Sequence, residues 1–283
     1  MNLNKLIDGK ELSNNLLTNL KHSIEQIQQK RLPKIVIIQV GDNQASNKYI
    51  KHKLKSCEKI GMLNEHLKLD DRISQSDLLK VIDELNKNQL VDGIIVQLPL
   101  PNHIDTQIVN ETIAQNKDAD GFSPKTLGNV MLNNSTIFPA TPLGIVKLLE
   151  WKNINLIGAN VVIIGRSNIV GKPLANMLIN KSATVTICNT KTKNLAQIAS
   201  NADILVSAAG FANLITKDFV NPNSVVIDVG ANFVEGKYCG DVNFQEVEPV
   251  VKLITPVPGG VGPMTIACLL ENVWNLYKKN IEL

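Results

Sequence analysis

Tyr49 and Lys53 are four residues apart in a segment of helical composition, so their side chains are predicted to share one face of a helix. A phenol and an amine would then point together into a cleft. The same segment also carries Lys48, Lys51 and Lys55, and a lysine-rich helix is commonly a solvated surface. Spacing alone leaves both interpretations open.

Gln97 closes an apolar run just before Leu98-Pro99, where parallel sheets present ligand-binding groups. A neutral amide at this point would orient a lysine without stabilising its charged form, as a carboxylate would. The alternative is a polar residue that caps the end of a strand.

Asp120 lies in Asn116–Gly121, a segment that resembles the start of a calcium loop. The twelfth position of such a loop requires a bidentate glutamate and here is Leu127, which excludes calcium. Asp120 is then either a turn residue or an acceptor of paired hydrogen bonds from an amino-substituted heterocycle.

The apolar run 161–164 ends in Gly165-Arg166-Ser167 and is followed at Gly171 by a helix-like segment. Backbone N–H groups at such a turn, with the helix dipole, would bind a phosphate. The spacing differs from Gly-x-Gly-x-x-Gly, so an ordinary strand-to-helix turn remains an alternative. Strand-like runs at helix-sized intervals after the turn favour a dinucleotide site.

NADP is predicted rather than NAD, because the segment 189–193 reads Asn-Thr-Lys-Thr-Lys and has no acidic residue for a ribose hydroxyl. Arg166, with Lys191 or Lys193, would instead bind a 2′-phosphate.

Further along, the segment 255–263 is rich in proline and glycine. It is either a linker or, because it lies between a strand-like run and a helix, a stiff wall that a flat ligand approaches closely.

These residues need an alternating framework to position them. Strands are predicted at 34–40, 93–98, 161–164, 183–188, 203–208 and 225–229, and helices at 10–31, 44–60, 74–90, 143–151 and 264–279. Prolines at 139 and 142 mark a domain boundary. The fold class is therefore α/β with two domains, the second a Rossmann-like, doubly wound parallel sheet.

Composition excludes several classes of protein. The 283 residues carry a net charge of +3, which argues against a nucleic-acid partner. The N-terminus lacks the apolar core of a secretion signal, and no run reaches the ~20 apolar residues that span a bilayer. Four scattered cysteines and four histidines show no metal-type spacing. We expect an intracellular protein without a membrane segment or a metal.

Taken together, the chain resembles the bifunctional methylenetetrahydrofolate dehydrogenase and methenyltetrahydrofolate cyclohydrolase family. Five blocks carry this resemblance in family order: 40–53 with Val-Gly-Asp, Ser46, Tyr49 and Lys53; Asp92–Pro101; Asp118–Gly121; Gly165–Pro173; and Thr255–Thr265.

The resemblance implies an enzyme, usually a homodimer, with a cleft between two domains. From the N-terminus and the absence of a long apolar run we expect it to be cytoplasmic. It places folate binding in residues 1–140, completed by the C-terminal helix 264–283, and NADP binding in 141–263. Such an enzyme oxidises 5,10-methylenetetrahydrofolate to 5,10-methenyltetrahydrofolate with NADP⁺ and hydrolyses the product to 10-formyltetrahydrofolate.

The resemblance also implies residue roles. The catalytic group would be Lys53 with Tyr49, Gln97 and Asp120, of which Asp120 binds the pterin. Further folate contacts would be Val96, Leu98, Pro258, Gly259, Gly260, Val261 and Gly262. Cofactor contacts would be Gly165, Arg166, Ser167, Thr190 and Ala231.

Two departures concern the cofactor site: Asn189-Thr190 stands where the family often has His-Ser, and Ala231 where isoleucine is common. Thr190 keeps a hydroxyl for a 2′-phosphate, whereas Ala231 loses apolar contact with the cofactor.

Two other functions stay open on the residues alone. A monofunctional NADP dehydrogenase of the same fold would leave methenyltetrahydrofolate to decay at the buffer rate. A non-catalytic cofactor-binding regulator would keep the Gly165–Gly171 turn but has little use for Tyr49, Lys53, Gln97 and Asp120 together.

Overall fold

A computed structural model describes residues 5–27, 31–234 and 236–281. The predictions that fall on residues 1–4, 28–30, 235 and 282–283 lie outside the described residues. In chain order the elements are α1 (Gly9–Glu25), β1 (Lys34–Val40), α2 (Gln44–Ile60), β2 (Leu63–Leu69), α3 (Gln75–Lys87), β3 (Gly93–Val96), α4 (Thr106–Thr112), α5 (Pro124–Met131), α6 (Ala140–Trp151), β4 (Asn160–Ile164), α7 (Gly171–Ile179), β5 (Thr184–Cys188), α8 (Leu195–Ala199), β6 (Ile204–Ser207), β7 (Val225–Asp228), β8 (Asn232–Val234), β9 (Lys237–Cys239), α9 (Phe244–Val247), β10 (Leu253–Ile254) and α10 (Val261–Ile281).

The chain divides into two compact units, each with its own parallel sheet. The three-stranded unit comprises Asn14–Ala140 and Ile266–Leu283, and the five-stranded unit comprises Met1–Ser13 and Thr141–Thr265. Two α/β units with a doubly wound second sheet confirm the predicted fold class.

The sheet of the three-stranded unit has the order β2-β1-β3, with all strands parallel. In the central strand β1, every residue from Ile35 to Val40 is buried, as expected where a parallel strand has both faces covered. The core of this unit packs β1 and β3 against α3 through Val36, Ile38, Ile94 and Leu78.

Local signals set the ends of α2. Asn43 accepts a hydrogen bond from the backbone N–H of Ser46 at the N-terminus, and Gly61 ends the helix in the left-handed region with φ 77°. The predicted bounds 44–60 are therefore confirmed. The predicted helix 10–31 was too long, since α1 ends at Glu25, and the strand 93–98 ends at Val96.

The sheet of the five-stranded unit has the order β10-β7-β6-β4-β5, also parallel throughout. The chain passes from β4 outward to β5 and then returns to place β6 on the other side of β4. This reversal is the topological switch point at which doubly wound sheets bind ligands, beyond the carboxyl ends of the strands.

Across the part of the chain that the structure covers, no helix combines the length and the apolar content needed to cross a bilayer.

Candidate active site

Lys53 and Gln97 form the centre of the candidate site in the three-stranded unit. Lys53 is on α2 and only 8% exposed, and its Nζ donates to Gln97 Oε1 over 3.0 Å. Gln97 follows β3 directly; its backbone N–H donates to Ile38 O, and its Nε2 donates to Leu98 O at 2.8 Å. Both ends of the glutamine are thus fixed, and its amide oxygen is directed at the amine.

Burial lowers the pKa of Lys53, because the charged ammonium is poorly solvated there. The negative charge of Asp120 opposes this shift, and so, more weakly, does Cys57 one turn further along α2. Gln97, which is neutral, supplies a hydrogen bond without a counter-charge. The site therefore holds an amine that gives up its proton more readily than an exposed lysine does.

The pKa of Asp120 is raised, in the opposite direction to that of Lys53. Burial raises the pKa of its carboxyl from 3.8 to about 6, helped by the nearby charge of Asp118 and opposed by Lys53. At neutral pH the carboxylate is mostly ionised, and an ionised carboxylate has the capacity to accept two hydrogen bonds.

The turn that carries Asp120 is held by a carboxylate two residues earlier. Asp118 is 2% exposed and accepts from the backbone N–H groups of Gly121, Phe122 and Ser123 and from Thr126 Oγ1. Charge-assisted bonds of this kind are among the stronger ones in proteins. They fix the backbone on the C-terminal side of Asp120.

Asn272, on α10, holds the other side of this turn. Its Nδ2 donates to Ala119 O at 2.9 Å and to Phe138 O at 2.7 Å. Gly121 has φ +74°, and a Cβ there would lie 2.7 Å from the nitrogen of Pro139. The turn is therefore clamped between α10 and the segment that precedes α6.

The remaining predicted groups of this unit lie on α2, at the end of β3 and just beyond it. Tyr49 is on α2, one turn before Lys53, and is partly exposed. Val96 ends β3 and is 5% exposed, whereas Leu98, two residues later, is partly exposed and its carbonyl also accepts from Ser46 Oγ.

The predicted dinucleotide turn lies at the switch point of the five-stranded unit. Gly165 follows β4 with φ +130°, and a Cβ there would lie 2.3 Å from Ala208 O. A Cβ on Gly171, at the start of α7, would lie 2.0 Å from Gly165 O. Only glycine fits either position, so the backbone forms a close cradle, beside which Arg166 and Ser167 are exposed.

The predicted 2′-phosphate segment follows β5, the neighbour of β4. Asn189 Oδ1 accepts from the N–H of Lys191, and Thr192 Oγ1 accepts from the N–H of Asn189, which fixes a turn with Thr190 exposed at its tip. Ala231, beyond β7, is exposed as well. A glycine cradle with exposed cationic and hydroxyl groups suits the donor set that a dinucleotide phosphate needs.

The predicted wall, Pro258 to Gly262, belongs to the five-stranded unit. Gly259 O accepts from the N–H of Lys10 at 3.0 Å, and a Cβ on Gly260 would lie 2.7 Å from Pro256 O. Val261 and Gly262 are the first residues of α10. The segment is therefore a tight turn into a helix rather than a linker.

Sequence reasoning missed four residues that organise these sites: Asp118, Asn272, Asp228 and Asp241. All four are buried side chains bonded to loop backbone: Asp118, Asn272 and Asp228 to loops that carry predicted site residues, and Asp241 to the loop after β6. Their signal in the sequence is slight, namely a polar residue within an otherwise apolar or turn segment.

Among the described residues, no group of three or more potential His, Cys, Asp or Glu ligands is placed to hold a metal.

Comparison with known proteins agrees with this geometry. Residues 7–120 match the model of the tetrahydrofolate dehydrogenase/cyclohydrolase catalytic domain, and residues 139–281 match the NAD(P)-binding domain of the same family. The chain is 48% identical over 269 residues to the bifunctional protein FolD of Lysinibacillus sphaericus, covering 94% of this chain and 95% of that protein.

Two solved structures are also similar. The bifunctional FolD methylenetetrahydrofolate dehydrogenase/cyclohydrolase of Campylobacter jejuni has a TM-score of 0.94 and 46% identity, covering 97% of this chain and 98% of that one. The Trypanosoma brucei methylenetetrahydrofolate dehydrogenase-cyclohydrolase, complexed with NADP cofactor and an inhibitor, has a TM-score of 0.94 and 32% identity over 98% of both chains.

Proposed function

The chain belongs to the tetrahydrofolate dehydrogenase/cyclohydrolase family, and from that premise we propose how its residues divide the work of two reactions. The enzyme oxidises 5,10-methylenetetrahydrofolate to 5,10-methenyltetrahydrofolate with NADP⁺ and hydrolyses the methenyl compound to 10-formyltetrahydrofolate. The observation that carries the assignment of roles is the buried Lys53 amine, bonded to a neutral amide and influenced by Asp120.

Hydrolysis is the step that needs a base. Water adds to the carbon of the positively charged methenyl bridge, and one proton of that water must be removed. Lys53 takes this proton, because burial lowers the pKa of its amine towards the range useful near neutral pH. The bond from that carbon to N5 then breaks as the added hydroxyl loses its proton and becomes the formyl C=O, N5 takes up a proton in exchange, and the formyl group stays on N10. One proton is released overall.

Gln97 and Tyr49 support this chemistry. Gln97 holds the amine in position without the counter-charge that would keep it protonated. Tyr49, one helical turn away, contacts the substrate on the same face of α2. Asp120 accepts two hydrogen bonds from the amino-substituted pterin, and Val96, Leu98 and Pro258 to Gly262 add further folate contacts.

The oxidation depends on how the protein aligns the nicotinamide ring with the one-carbon bridge of the folate. When bound, NADP⁺ supplies the acceptor for a hydride from the one-carbon bridge. Gly165, Arg166, Ser167, Thr190 and Ala231 would hold it, with Arg166 and Thr190 at the 2′-phosphate. The assignment of folate to residues 1–140 with 264–283, and of NADP to residues 141–263, is part of the same proposal.

One experiment tests both activities. The purified protein is incubated with methylenetetrahydrofolate and either NADP⁺ or NAD⁺, while reduced nicotinamide and the formyl product are followed together. In a second arm, methenyltetrahydrofolate alone is added and its decay is compared with the buffer rate. We expect reduction of NADP⁺ and accelerated decay. Absence of reduction removes the dehydrogenase assignment, decay at the buffer rate removes the cyclohydrolase, and clearly tighter binding of NAD⁺ overturns the cofactor choice.

We also propose that the enzyme is a homodimer, as the resemblance to its family suggests, and that it is cytoplasmic. Light scattering during gel filtration would give a mass of twice the 31.0 kDa chain. Fractionation of the source cells would place the activity in the cytoplasmic fraction, and a monomer mass or recovery elsewhere would contradict this.

A further inference from the structure

Asp241 is a completely buried carboxylate that lies outside the groups assigned above. It follows the β8–β9 hairpin and accepts five hydrogen bonds. The donors are Ser207 Oγ, the backbone N–H groups of Ala209, Gly210 and Phe211, and Asn232 Nδ2. Four of the five come from the end of β6 and the loop that follows it. The carboxylate of Asp241 therefore fixes the backbone conformation of the loop after β6.

A second buried carboxylate, Asp228 at the end of β7, fixes the backbone of Asp241. Asp228 accepts from the N–H groups of Gly230, Asp241 and Val242 at 2.9 to 3.0 Å. A Cβ on Gly240 would lie 1.8 Å from Asp228 Oδ2. Glycine is thus required beside the pair, and Asp241 cannot move away from the loop that it holds.

The loop held by Asp241 forms one side of the switch point. Ser207, at the end of β6, is in register with Ile164 of β4, the residue before Gly165. The close approach of Gly165 to Ala208 O brings the loop after β6 against the dinucleotide turn. Ala209, Gly210 and Phe211 are exposed on their outer side, while their N–H groups point inward to Asp241.

We propose that Asp241 is a positioning residue for the dinucleotide: it holds the Ala209–Phe211 loop in place next to the Gly165 turn, as part of the dinucleotide site, without contacting the cofactor itself. The inference rests on the proposed function, because the ligand that approaches this loop is the nicotinamide dinucleotide. A preformed loop spares the cofactor the entropic cost of ordering it, which would otherwise weaken binding.

The test is Asp241→Asn in the full chain. An asparagine is the same size, but its NH₂ group would face N–H donors on one side of the carboxylate position and leave at least one of them unbonded. Binding of NADP⁺ is measured by calorimetry, dehydrogenase and cyclohydrolase activities by steady-state kinetics, and stability by thermal unfolding. We expect the Kd for NADP⁺ and the KM for NADP⁺ to rise about tenfold, with a smaller change in kcat at saturating cofactor.

Two further variants keep the result interpretable. Asp203→Asn makes the same chemical change at the amino end of the strands, where Asp203 Oδ2 accepts from the N–H of Asn160, and should leave the Kd for NADP⁺ unchanged. Ser207→Ala removes one of the five donors to Asp241 and should raise that Kd about two- to fivefold. If Asp241→Asn does not fold, the Kd of Ser207→Ala for NADP⁺ tests the role of Asp241 in its place.

A folded Asp241→Asn that binds NADP⁺ as tightly as the wild type overturns the inference, whatever its melting temperature. Equal losses of dehydrogenase and cyclohydrolase, with an unchanged KM for NADP⁺, overturn it as well, because they indicate general destabilisation. The wild type is measured first with both dinucleotides. Failure of the proposed function appears there, as no binding of either, and is separate from failure of the role of Asp241.

Discussion

Lys53 Nζ lies 3.0 Å from Gln97 Oε1, and this acceptor carries no charge. A carboxylate at the same distance would stabilise the ammonium and would work against the effect of burial on the amine. With an amide at this position, the hydrogen bond to Lys53 adds no counter-charge, and the lowering of the lysine pKa by burial is not opposed from this side.

Gln97→Glu should for this reason raise the pKa of Lys53. The neutral fraction of the amine at pH 7 falls about tenfold for each unit of that rise, and cyclohydrolase activity should fall with it. The activity should recover at higher pH in a pH–rate profile. Gln26→Glu, an exposed change of the same charge in the same unit, serves as control. An unchanged profile in Gln97→Glu would show that Gln97 does not tune the lysine.

Lys53→Met should lower cyclohydrolase activity about 10²- to 10⁴-fold, the usual contribution of a general base. Methionine fills similar space without a buried charge, so the free energy of unfolding should stay within about 1 kcal/mol of the wild type. Folate binding should remain measurable by titration. Lys51→Met, on the exposed side of α2, is the matched control. A Lys53→Met enzyme that hydrolyses at full rate would remove Lys53 from the mechanism.

Asp120→Asn should stabilise the protein at pH 7. The pKa of Asp120 is raised from 3.8 to about 6, so its ionised form is less favourable in the folded than in the unfolded state. The resulting loss of folding stability is fully present above about pH 6. It becomes smaller as the pH falls from 6 to 4 and is absent below about pH 4. At pH 7 the gain should be on the order of 1 to 3 kcal/mol.

Thermal or denaturant unfolding of Asp120→Asn and the wild type at pH 4 and pH 7 measures this difference. Asp83→Asn, which removes an exposed carboxylate on α3, controls for net charge. A difference that grows towards low pH has the wrong sign and refutes the assignment. Folate binding by Asp120→Asn should weaken at the same time, since the amide replaces one acceptor by a donor.

Gly165→Ala should weaken binding of NADP⁺ strongly, because its Cβ would lie 2.3 Å from Ala208 O and the backbone has φ +130°. The cradle must shift to admit the methyl group, and the five-stranded unit should lose about 1 to 3 kcal/mol of stability. Gly128→Ala, on α5 with nothing within 4 Å of the added Cβ, should instead stabilise its helix by about 1 kcal/mol. Calorimetry and thermal unfolding report both effects.

The sequence predicts elements best where local signals agree with packing. The helix 44–60 is marked at both ends by Asn43 and Gly61, and the strand 34–40 is a continuous apolar run. By contrast, β2 reads Leu-Asn-Glu-His-Leu-Lys-Leu and was missed. It is an edge strand whose pairing with β1 over its whole length is a tertiary interaction that local propensity does not reveal.

The residues of the site also fall into those that local sequence patterns predict and those that depend on tertiary contacts. Lys53 lies within the helix 44–60 and Gln97 follows β3 directly, so both positions follow from elements with clear patterns. Asp120 was found from its turn motif and not from a neighbouring helix or strand. The role of Asp118 depends on three backbone N–H groups that one turn directs at a single carboxylate. Asp241 bonds to Ser207, 34 residues earlier. Contacts of this kind arise from the completed fold and leave no periodic trace in the sequence.

The bonds from Asn272 to Ala119 O and Phe138 O have a consequence for synthesis on the ribosome. Chain made up to residue 140 has the strands of the three-stranded sheet but lacks the helix that clamps the turn bearing Asp120. About 130 further residues, including the whole five-stranded sheet, must be translated before that clamp exists. The sheet that is translated first thus belongs to a unit completed by the last helix, and we expect the folate site to mature only after translation has passed α10.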